Sequence, residues 1–191
     1  MSPNNLKTKI LALLGSPRKK GNSALLAHKI LEGAKDAGAE IEAVYLNSLK
    51  IAPCQACNAC RKPEAKGCAV NDDMQSLYPK IKEADVLVFA SPIYWFTVSA
   101  QLKLVMDRLY AFGADGYTAL SGKKAAAALS FAGADVFDSG CVNALRTFQD
   151  AFKFLNIKPA GFVYGKGWEA GEISADAAVL EKAVNLGREL A

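Results

Sequence analysis

The sequence predicts a doubly wound α/β fold, in which a parallel sheet is covered by helices on both faces. Five short apolar runs alternate with five segments whose apolar residues recur at helical spacing. The run from Val86 to Ala90 is continuously apolar, which is typical of a strand buried on both faces of a parallel sheet. In such sheets ligands bind beyond the carboxyl ends of the strands. The loops that follow the strands are therefore the first place to look for a site.

The predicted elements follow one another in a regular order. Strands are predicted at residues 7–14, 40–46, 85–90, 124–131 and 157–164. Helices are predicted at 22–37, 73–82, 99–109, 139–155 and 175–190. Asp72 or Asp73 is expected to cap the second helix, and Ser99 the third. A cysteine-rich loop at about residues 53–68 separates the second strand from the second helix.

Composition narrows the class of protein. Of the 191 residues, 51% are hydrophobic and 22% are charged, and the net charge is +4. This balance is typical of one soluble globular domain over residues 1–191. Met1 to Lys9 are polar and no apolar run is long enough to cross a membrane, so we expect a cytoplasmic protein without a signal peptide or a membrane partner. The Lys and Arg residues are scattered, which argues against a nucleic-acid partner.

His28 is the sole histidine of the chain and falls within the first predicted helix. A place on the helix surface is the simplest interpretation of this residue. Catalysis by a histidine base, or by a metal with histidine ligands, is therefore not expected, and no catalytic side chain is predicted. If the protein is an enzyme, a cofactor carries its chemistry.

The segment Gly15–Ala24 joins the first predicted strand to the first predicted helix, and this geometry forms anion sites. The first turn of a helix has backbone N–H groups without partners, and the helix dipole favours negative charge there. Donor side chains lie in the same turn: Ser16, Arg18, Asn22 and Ser23. Together these groups can surround one phosphate. The alternative is an ordinary turn in which Asn22 or Ser23 only caps the helix.

Two better-known phosphate loops are excluded by the spacing of Gly15–Ala24. A Walker A loop has four residues between its glycines and then Lys, whereas five residues separate Gly15 from Gly21 and Asn22 follows. The dinucleotide fingerprint needs a glycine at position 17, where the chain has Pro17. The remaining interpretation is a site for a terminal phosphomonoester.

The loop after the third predicted strand contains three consecutive aromatic residues, Tyr94, Trp95 and Phe96. Pro92 stiffens this turn, backbone groups there can bond a heterocycle, and the aromatic side chains can stack on its face. The alternative is that these rings pack into the core or into a subunit interface. A phosphate loop and a flat apolar platform at the same edge of the sheet would suit a phosphorylated planar ring, and flavin mononucleotide (FMN) fits.

Several segments resemble the NAD(P)H-dependent FMN reductase family of flavodoxin-like proteins. They are Gly15–Arg18 with Gly21–Ser23, Ser91–Phe96 leading into Ser99–Arg108, Asp72–Met74 and Tyr164–Gly167. The resemblance covers nearly the whole chain. It implies a flavodoxin-like three-layer sandwich with a five-stranded parallel sheet.

The resemblance also implies roles for individual residues. The FMN phosphate would be held by Ser16, Arg18, Asn22 and Ser23. The isoalloxazine and the ribityl chain would be lined by Pro92, Ile93, Tyr94, Trp95 and Phe96. A glycine-rich turn after the fourth strand is frequent in the family, and here only Gly133 matches it. Family members assemble as dimers or tetramers, so a homodimer or homotetramer is expected, with Trp168 or Tyr110 either at the interface or in the core.

Four cysteines lie close together in the cysteine-rich loop: Cys54, Cys57, Cys60 and Cys68. Four thiolates on one loop are the ligands of a [4Fe–4S] cluster. Zinc also accepts four thiolates but commonly uses two separated pairs, so the spacing favours iron–sulfur. The alternative is a set of free thiols. Cys141 stands apart and is expected to be a small buried residue.

The cysteine spacing resembles the iron–sulfur flavoproteins, a branch of the same family in which a cluster passes electrons to FMN. The leading hypothesis is an FMN-dependent oxidoreductase that moves electrons from NAD(P)H to a quinone, a flavin or another acceptor. The second is an electron-transfer protein with FMN and a [4Fe–4S] cluster, fed by a small redox protein. The third is a phosphate-ligand-binding module with structural zinc.

Overall fold

A computed structural model describes residues 7–191 of the chain. Residues 1–6, which include most of the polar N-terminus used to argue against a signal peptide, lie outside the described residues. The described strands are β1 (Lys9–Leu14), β2 (Glu40–Tyr45), β3 (Val86–Tyr94), β4 (Thr97–Val98), β5 (Lys124–Phe131) and β6 (Lys158–Lys166). Five of them form a parallel sheet in the order β2-β1-β3-β5-β6. The short strand β4 pairs antiparallel with the end of β3.

The helices pack on the two faces of this sheet. Within residues 7–191 they are α1 (Asn22–Asp36), α2 (Met74–Glu83), α3 (Ala100–Arg108), α4 (Cys141–Phe154) and α5 (Ala177–Leu190). Alternate residues of β1 point to opposite faces, because side chains alternate along a strand. Leu11 and Leu13 join one core cluster with α2, α3 and α4. Ile10, Ala12 and Leu14 join the other with α1 and α5.

Helices α1 and α5 approach each other closely because each has a glycine at their contact. A Cβ atom on Gly33 would overlap the carbonyl oxygen of Val184, and one on Gly187 would overlap that of Ile30. This close contact fixes α1, including its first turn, against α5.

The predicted parallel sheet of five strands with alternating helices is confirmed. Ser99 caps α3 as predicted, its Oγ accepting from the Leu102 N–H at 3.4 Å. At α2 the residue in the cap position is Asp73, but the carboxylate that accepts from the first helical N–H, that of Met74, is on Asp72. Asp73 instead accepts from the backbone N–H of Lys50.

The main difference between the predicted and the observed elements lies after residue 90, where the sequence predicts a loop. Strand β3 continues to Tyr94 because Ser91 and Pro92 stay in register with β5. The chain then reverses, and β4 pairs back on β3 with Tyr94 opposite Thr97. Among the described helices, none is long and apolar enough to cross a membrane.

Candidate functional site

The loop between β1 and α1 is held at the carboxyl edge of the sheet by backbone contacts. The Gly15 N–H donates to the carbonyl of Ala90 on β3 at 2.8 Å, and the Ser99 hydroxyl donates to the Gly15 carbonyl at 2.8 Å. Gly21, the last residue before α1, is needed for space, because a Cβ there would lie 2.5 Å from the Ser16 Oγ. The loop therefore starts and ends in fixed positions.

The start of α1 offers donors that the protein itself does not use. Its first turn contains no acidic residue, and no side chain caps it within the described part of the chain. Ser23 is buried, and its Oγ is the one buried side-chain polar atom of residues 7–191 without a hydrogen-bond partner. A buried hydroxyl without a partner is costly unless a ligand satisfies it. The positive end of the helix dipole favours an anionic ligand at this place.

Two adjacent cavities open at this edge of the sheet. The first, of about 230 Å³, has Ser16, Arg18 and Asn22 in its wall. The second, of about 650 Å³, has Trp95, Phe96 and Gly133 in its wall. Five residues line both cavities, so the two form one cleft: Ile93, Tyr94, Phe131, Ala132 and Trp168.

This cleft brings together most of the predicted flavin-site residues. Pro92 lines the smaller cavity, and Ile93 and Tyr94 line both cavities. Ser23 lies at the start of α1, one residue beyond the Asn22 side of the smaller cavity. The arrangement can hold an anion at one end and a flat apolar ring at the other.

The aromatic end of the cleft is a strained hairpin turn. Trp95 and Phe96 have φ of +47° and +65°, a left-handed conformation that bulky residues rarely adopt. Asn or Gly are usual in such two-residue turns. Phe96 packs on Gly140, where a Cβ would lie 2.5 Å from the Phe96 Cβ, and Asn143 Nδ2 donates to the Phe96 carbonyl at 3.1 Å. Strain of this kind occurs at ligand-binding sites.

Sequence reasoning missed the wall of the cleft formed by the end of β5 and the loop after β6. Ser130 and Phe131 line it, together with Gly167 and Trp168. The signal that could have found these residues is their position at, or just beyond, the carboxyl ends of two parallel strands. Trp168 and Tyr110 were expected at an interface or in the core, and both are exposed in this chain, so neither is a core residue.

The four clustered cysteines are only partly brought together. Cys54 and Cys57 are exposed, Cys60 is buried and Cys68 is half-buried. Burial, followed by the nearby thiols of the other three cysteines, raises the pKa of Cys60. Over residues 7–191, however, no three His, Cys, Asp or Glu side chains converge to hold a metal ion. The donor set suits iron–sulfur, but its placement here is not that of a formed site. Cys141 is fully buried as predicted, and burial raises its pKa to about 11.

A buried ion pair that the sequence did not reveal holds the ends of the cysteine segment. Arg108, only 1% exposed, donates to both carboxylate oxygens of Asp72 at 2.7 and 3.1 Å. It also donates to the carbonyl of Ala52 at 2.8 Å, and Asp72 accepts from the N–H of Ala52 at 2.8 Å. Residues 52 and 72 flank the four cysteines, so this pair closes the loop that carries them.

The charged states of this pair are strongly favoured. Burial alone would raise the pKa of Asp72, but hydrogen bonds from Arg108 and from the N–H groups of Ala52 and Met74 outweigh it and hold that pKa below its ordinary value. Burial likewise opposes the charge of Arg108, yet hydrogen bonds with Asp72 and Tyr78 raise its pKa. Both groups are therefore ionised near neutral pH.

The middle of the cysteine segment is also fixed. The Arg61 guanidinium lies 5.1 Å from the centre of the Tyr110 ring and 5.8 Å from that of Tyr117, which are cation–π distances. The Tyr110 hydroxyl donates to Asn58 Oδ1 at 3.0 Å. The exposed Tyr110 therefore supports the cysteine segment within its own chain.

The strand order and the cleft at the switch between β1 and β3 define a flavodoxin-like α/β protein. Comparison with known proteins narrows this class. Residues 8–180 match the NADPH-dependent FMN reductase family. The chain belongs to this family, and the predicted membership is confirmed.

Individual relatives agree with the family assignment. An iron–sulfur flavoprotein of Archaeoglobus fulgidus is 33% identical over 186 residues, which are 96% of this chain and 79% of that protein. A Bacillus subtilis protein named as a candidate NAD(P)H-dependent FMN-containing oxidoreductase is 29% identical over 182 residues, 93% of this chain and 96% of that protein. An iron–sulfur flavoprotein of Methanosarcina thermophila matches over 100 residues at 40% identity, 52% of this chain and about half (51%) of its own length.

A solved structure shows the same fold. The NAD(P)H:quinone oxidoreductase from Methanothermobacter marburgensis has a TM-score of 0.76 to this chain, with 96% of each chain covered. At 21% identity, this likeness supports the architecture alone.

Proposed function

We propose that the protein is an FMN-dependent oxidoreductase that moves electrons from NAD(P)H to a quinone, a flavin or another acceptor. One observation carries the proposal in this chain of the FMN reductase family. The buried Ser23 hydroxyl at the start of α1 has no hydrogen-bond partner among the described residues. It lies beside a cleft that continues into the aromatic turn. A phosphate that accepts from Ser23 removes the cost of that unpaired hydroxyl.

The phosphate end of the cleft would use both side chains and backbone. Ser16 and Ser23 supply hydroxyls, Arg18 supplies a positive charge, and the free N–H groups of the first turn of α1 supply further donors. Arg18 makes one side-chain hydrogen bond in the described chain, to the carbonyl of Trp168 at 3.2 Å. Its remaining N–H groups are available to a phosphate.

The ring end of the cleft would be lined by Pro92–Phe96 and Gly133. FMN held in this cleft would supply the redox chemistry, namely hydride transfer from a nicotinamide and electron transfer to the acceptor. The residues of this chain bind and orient the ring, and the aromatic turn keeps water from its apolar face.

The test is a comparison of two double variants. Arg18→Ala with Ser23→Ala removes two charge-assisted bonds to the phosphate, and we expect FMN affinity to fall by about 10²- to 10⁴-fold, since each bond is worth about 1.5–3 kcal/mol. The control is Arg146→Ala with Ser76→Ala, both exposed residues of α4 and α2. Unchanged FMN affinity in the first variant would refute the phosphate assignment. Failure of the FMN-loaded native protein to oxidise NADH and NADPH with benzoquinone and with free flavin alike would refute the function.

A second candidate function is that of an iron–sulfur flavoprotein, in an electron-transfer chain fed by a small redox protein. Two observations favour it: the Cys60 thiol lies within electrostatic reach of the other three clustered cysteines, and a relative with that name is similar over 96% of this chain. Protein purified without oxygen would then contain iron and sulfide in stoichiometric amounts. Cys57→Ala should remove the iron, whereas Cys141→Ala, the matched control, should not. Iron-free protein, or protein with zinc instead, would contradict this candidate.

Assembly as a homodimer or homotetramer is part of the proposal. Exposed aromatic side chains near the cleft, among them Trp95 and Phe137, are the surface that such assembly would cover. Sedimentation velocity of the FMN-loaded protein tests it, and a monomer would contradict it. The five cysteines are unpaired in the described chain, which suits a reducing compartment such as the cytoplasm.

A further inference from the structure

The loop after β6 is attached to the phosphate loop through its backbone. Asn22 Nδ2 donates to the carbonyl of Glu169 at 2.9 Å. Asn22 Oδ1 accepts from the N–H groups of Gly171 at 3.0 Å and Ile173 at 3.2 Å. These contacts join residues about 150 positions apart, and they fix the loop relative to the start of α1.

The contacts also occupy Oδ1, the acceptor atom of the Asn22 side chain. An amide oxygen has two lone pairs, and both face N–H groups of the loop. Of the two amide hydrogens, one is engaged with Glu169. A Cβ on Gly167 would lie 2.5 Å from the same nitrogen, so the loop backbone is packed directly against Asn22. The side chain is thus built into the loop contact rather than presented to a phosphate.

Within this fixed loop, the Trp168 side chain is the free part. The backbone N–H of Trp168 donates to Glu172 Oε2 at 2.7 Å and its backbone carbonyl accepts from Arg18, so the Trp168 backbone is held on both sides. Trp168 is nevertheless 72% exposed, and it lines both the cavity of about 230 Å³ and the cavity of about 650 Å³. The planar indole ring of Trp168 therefore lies at the junction of the two cavities, between the end proposed for the phosphate and the end proposed for the flavin ring.

We propose that Trp168 packs against the bound flavin ring, and that Asn22 is a positioning residue that acts through Trp168 rather than a phosphate ligand. The inference rests on the proposed function, since it requires FMN in the cleft. It differs from the role predicted for Asn22 from the sequence. An aromatic ring prefers an offset or edge-on arrangement on another ring system, and Trp168 lines the same cleft as the Pro92–Phe96 turn.

The experiment compares FMN with riboflavin, which has the same ring and no phosphate. Flavin is removed from the protein, and binding of each compound is measured by the quenching of flavin fluorescence. Trp168→Ala should weaken both compounds by the same factor, about two- to tenfold, because only a ring contact is lost. Trp168→Phe should recover part of this loss. Ser23→Ala should weaken FMN and leave riboflavin unchanged.

Asn22→Ala separates the two roles of Asn22. A positioning residue weakens FMN and riboflavin equally, whereas a phosphate ligand weakens FMN alone. In the Trp168→Ala background, Asn22→Ala should have little further effect on riboflavin, because a residue that acts through another is not additive with it. Hydrogen exchange at Gly171 and Ile173 should accelerate in Asn22→Ala and stay unchanged in Trp168→Ala.

The outcomes that overturn the inference are distinct from failure of the function. If native protein binds FMN and Trp168→Ala binds both flavins as tightly as native protein, Trp168 does not contact the ring. A loss in Asn22→Ala confined to FMN would return Asn22 to the phosphate. If Trp168→Ala lowers flavin affinity only together with dissociation in sedimentation, the residue serves an interface. Native protein that binds neither flavin would instead refute the proposed function.

Discussion

Removal of the Asp72 carboxylate should destabilise the protein far more than removal of an exposed carboxylate. Arg108 is 1% exposed in the native chain, and in Asp72→Ala it loses the two bonds at 2.7 and 3.1 Å. The N–H groups of Ala52 and Met74 lose their acceptor as well. Breaking one side of a buried ion pair costs about 3–5 kcal/mol, since the remaining charge is left buried and unpaired.

That cost is a large share of a typical stability of about 5–15 kcal/mol. For a chain of this size each kcal/mol lowers the melting temperature by about 2–4 °C, so we expect a decrease of about 6–20 °C. Urea unfolding of the native protein and the variant measures the free energy directly. The matched control is Asp107→Ala, which breaks the exposed pair of Lys103 and Asp107 and should cost under about 1 kcal/mol.

Two further measurements sharpen this test. Because hydrogen bonds hold the pKa of Asp72 below its ordinary value, its stabilisation is fully present above the unfolded pKa and is lost as pH falls through the folded pKa. The difference between native protein and Asp72→Asn should therefore be constant near neutral pH and shrink below about pH 4. Adding Arg108→Met to Asp72→Ala should recover stability, since it removes the unpaired charge. If Asp72→Ala costs no more than Asp107→Ala, the pair does not anchor the cysteine segment.

Two predictions concern the aromatic turn. Trp95→Gly should raise the free energy of unfolding by about 1 kcal/mol, because a left-handed conformation costs about 1–2 kcal/mol for a non-glycine residue. Trp95 is 91% exposed, so little packing is lost with its side chain. The same substitution should weaken flavin binding. Urea unfolding and flavin titration measure the two effects, and a less stable variant would show that the turn is not strained. Gly140→Ala should cost about 2 kcal/mol or more, since φ is +74° and Phe96 fills the space of the new Cβ. A fully stable Gly140→Ala variant with native flavin affinity would contradict the packing of Phe96 on Gly140.

The sequence predicts the helices and strands well, because the spacing of apolar residues and the continuous apolar runs of buried strands are local properties of the chain. The run from Val86 to Ala90 and the spacing of Leu102, Val105 and Leu109 place β3 and α3 without knowledge of contacts. The turn at Trp95 and Phe96 could not be predicted, because aromatic residues rarely take positive φ. Local propensity gives way there to pairing of β3 with β4.

The candidate site is predictable where its residues are local and unpredictable where they are distant. Ser16, Arg18 and Ser23 lie within the short segment Gly15–Ala24, and their shared location follows from a strand that runs into a helix. The contacts of Asn22 with Gly171 and Ile173, and the pair of Asp72 and Arg108, join segments that only the folded chain brings together. The spacing of cysteines likewise predicts a donor set but not its convergence.

The most direct test of the central claim is an anaerobic titration of the FMN-loaded protein with NADH and with NADPH. Spectra in the visible range report the oxidised flavin. We expect at least one nicotinamide to bleach the flavin band with one equivalent, and added benzoquinone to restore it. Purified protein that binds FMN but stays fully oxidised with both nicotinamides would contradict a nicotinamide-dependent oxidoreductase.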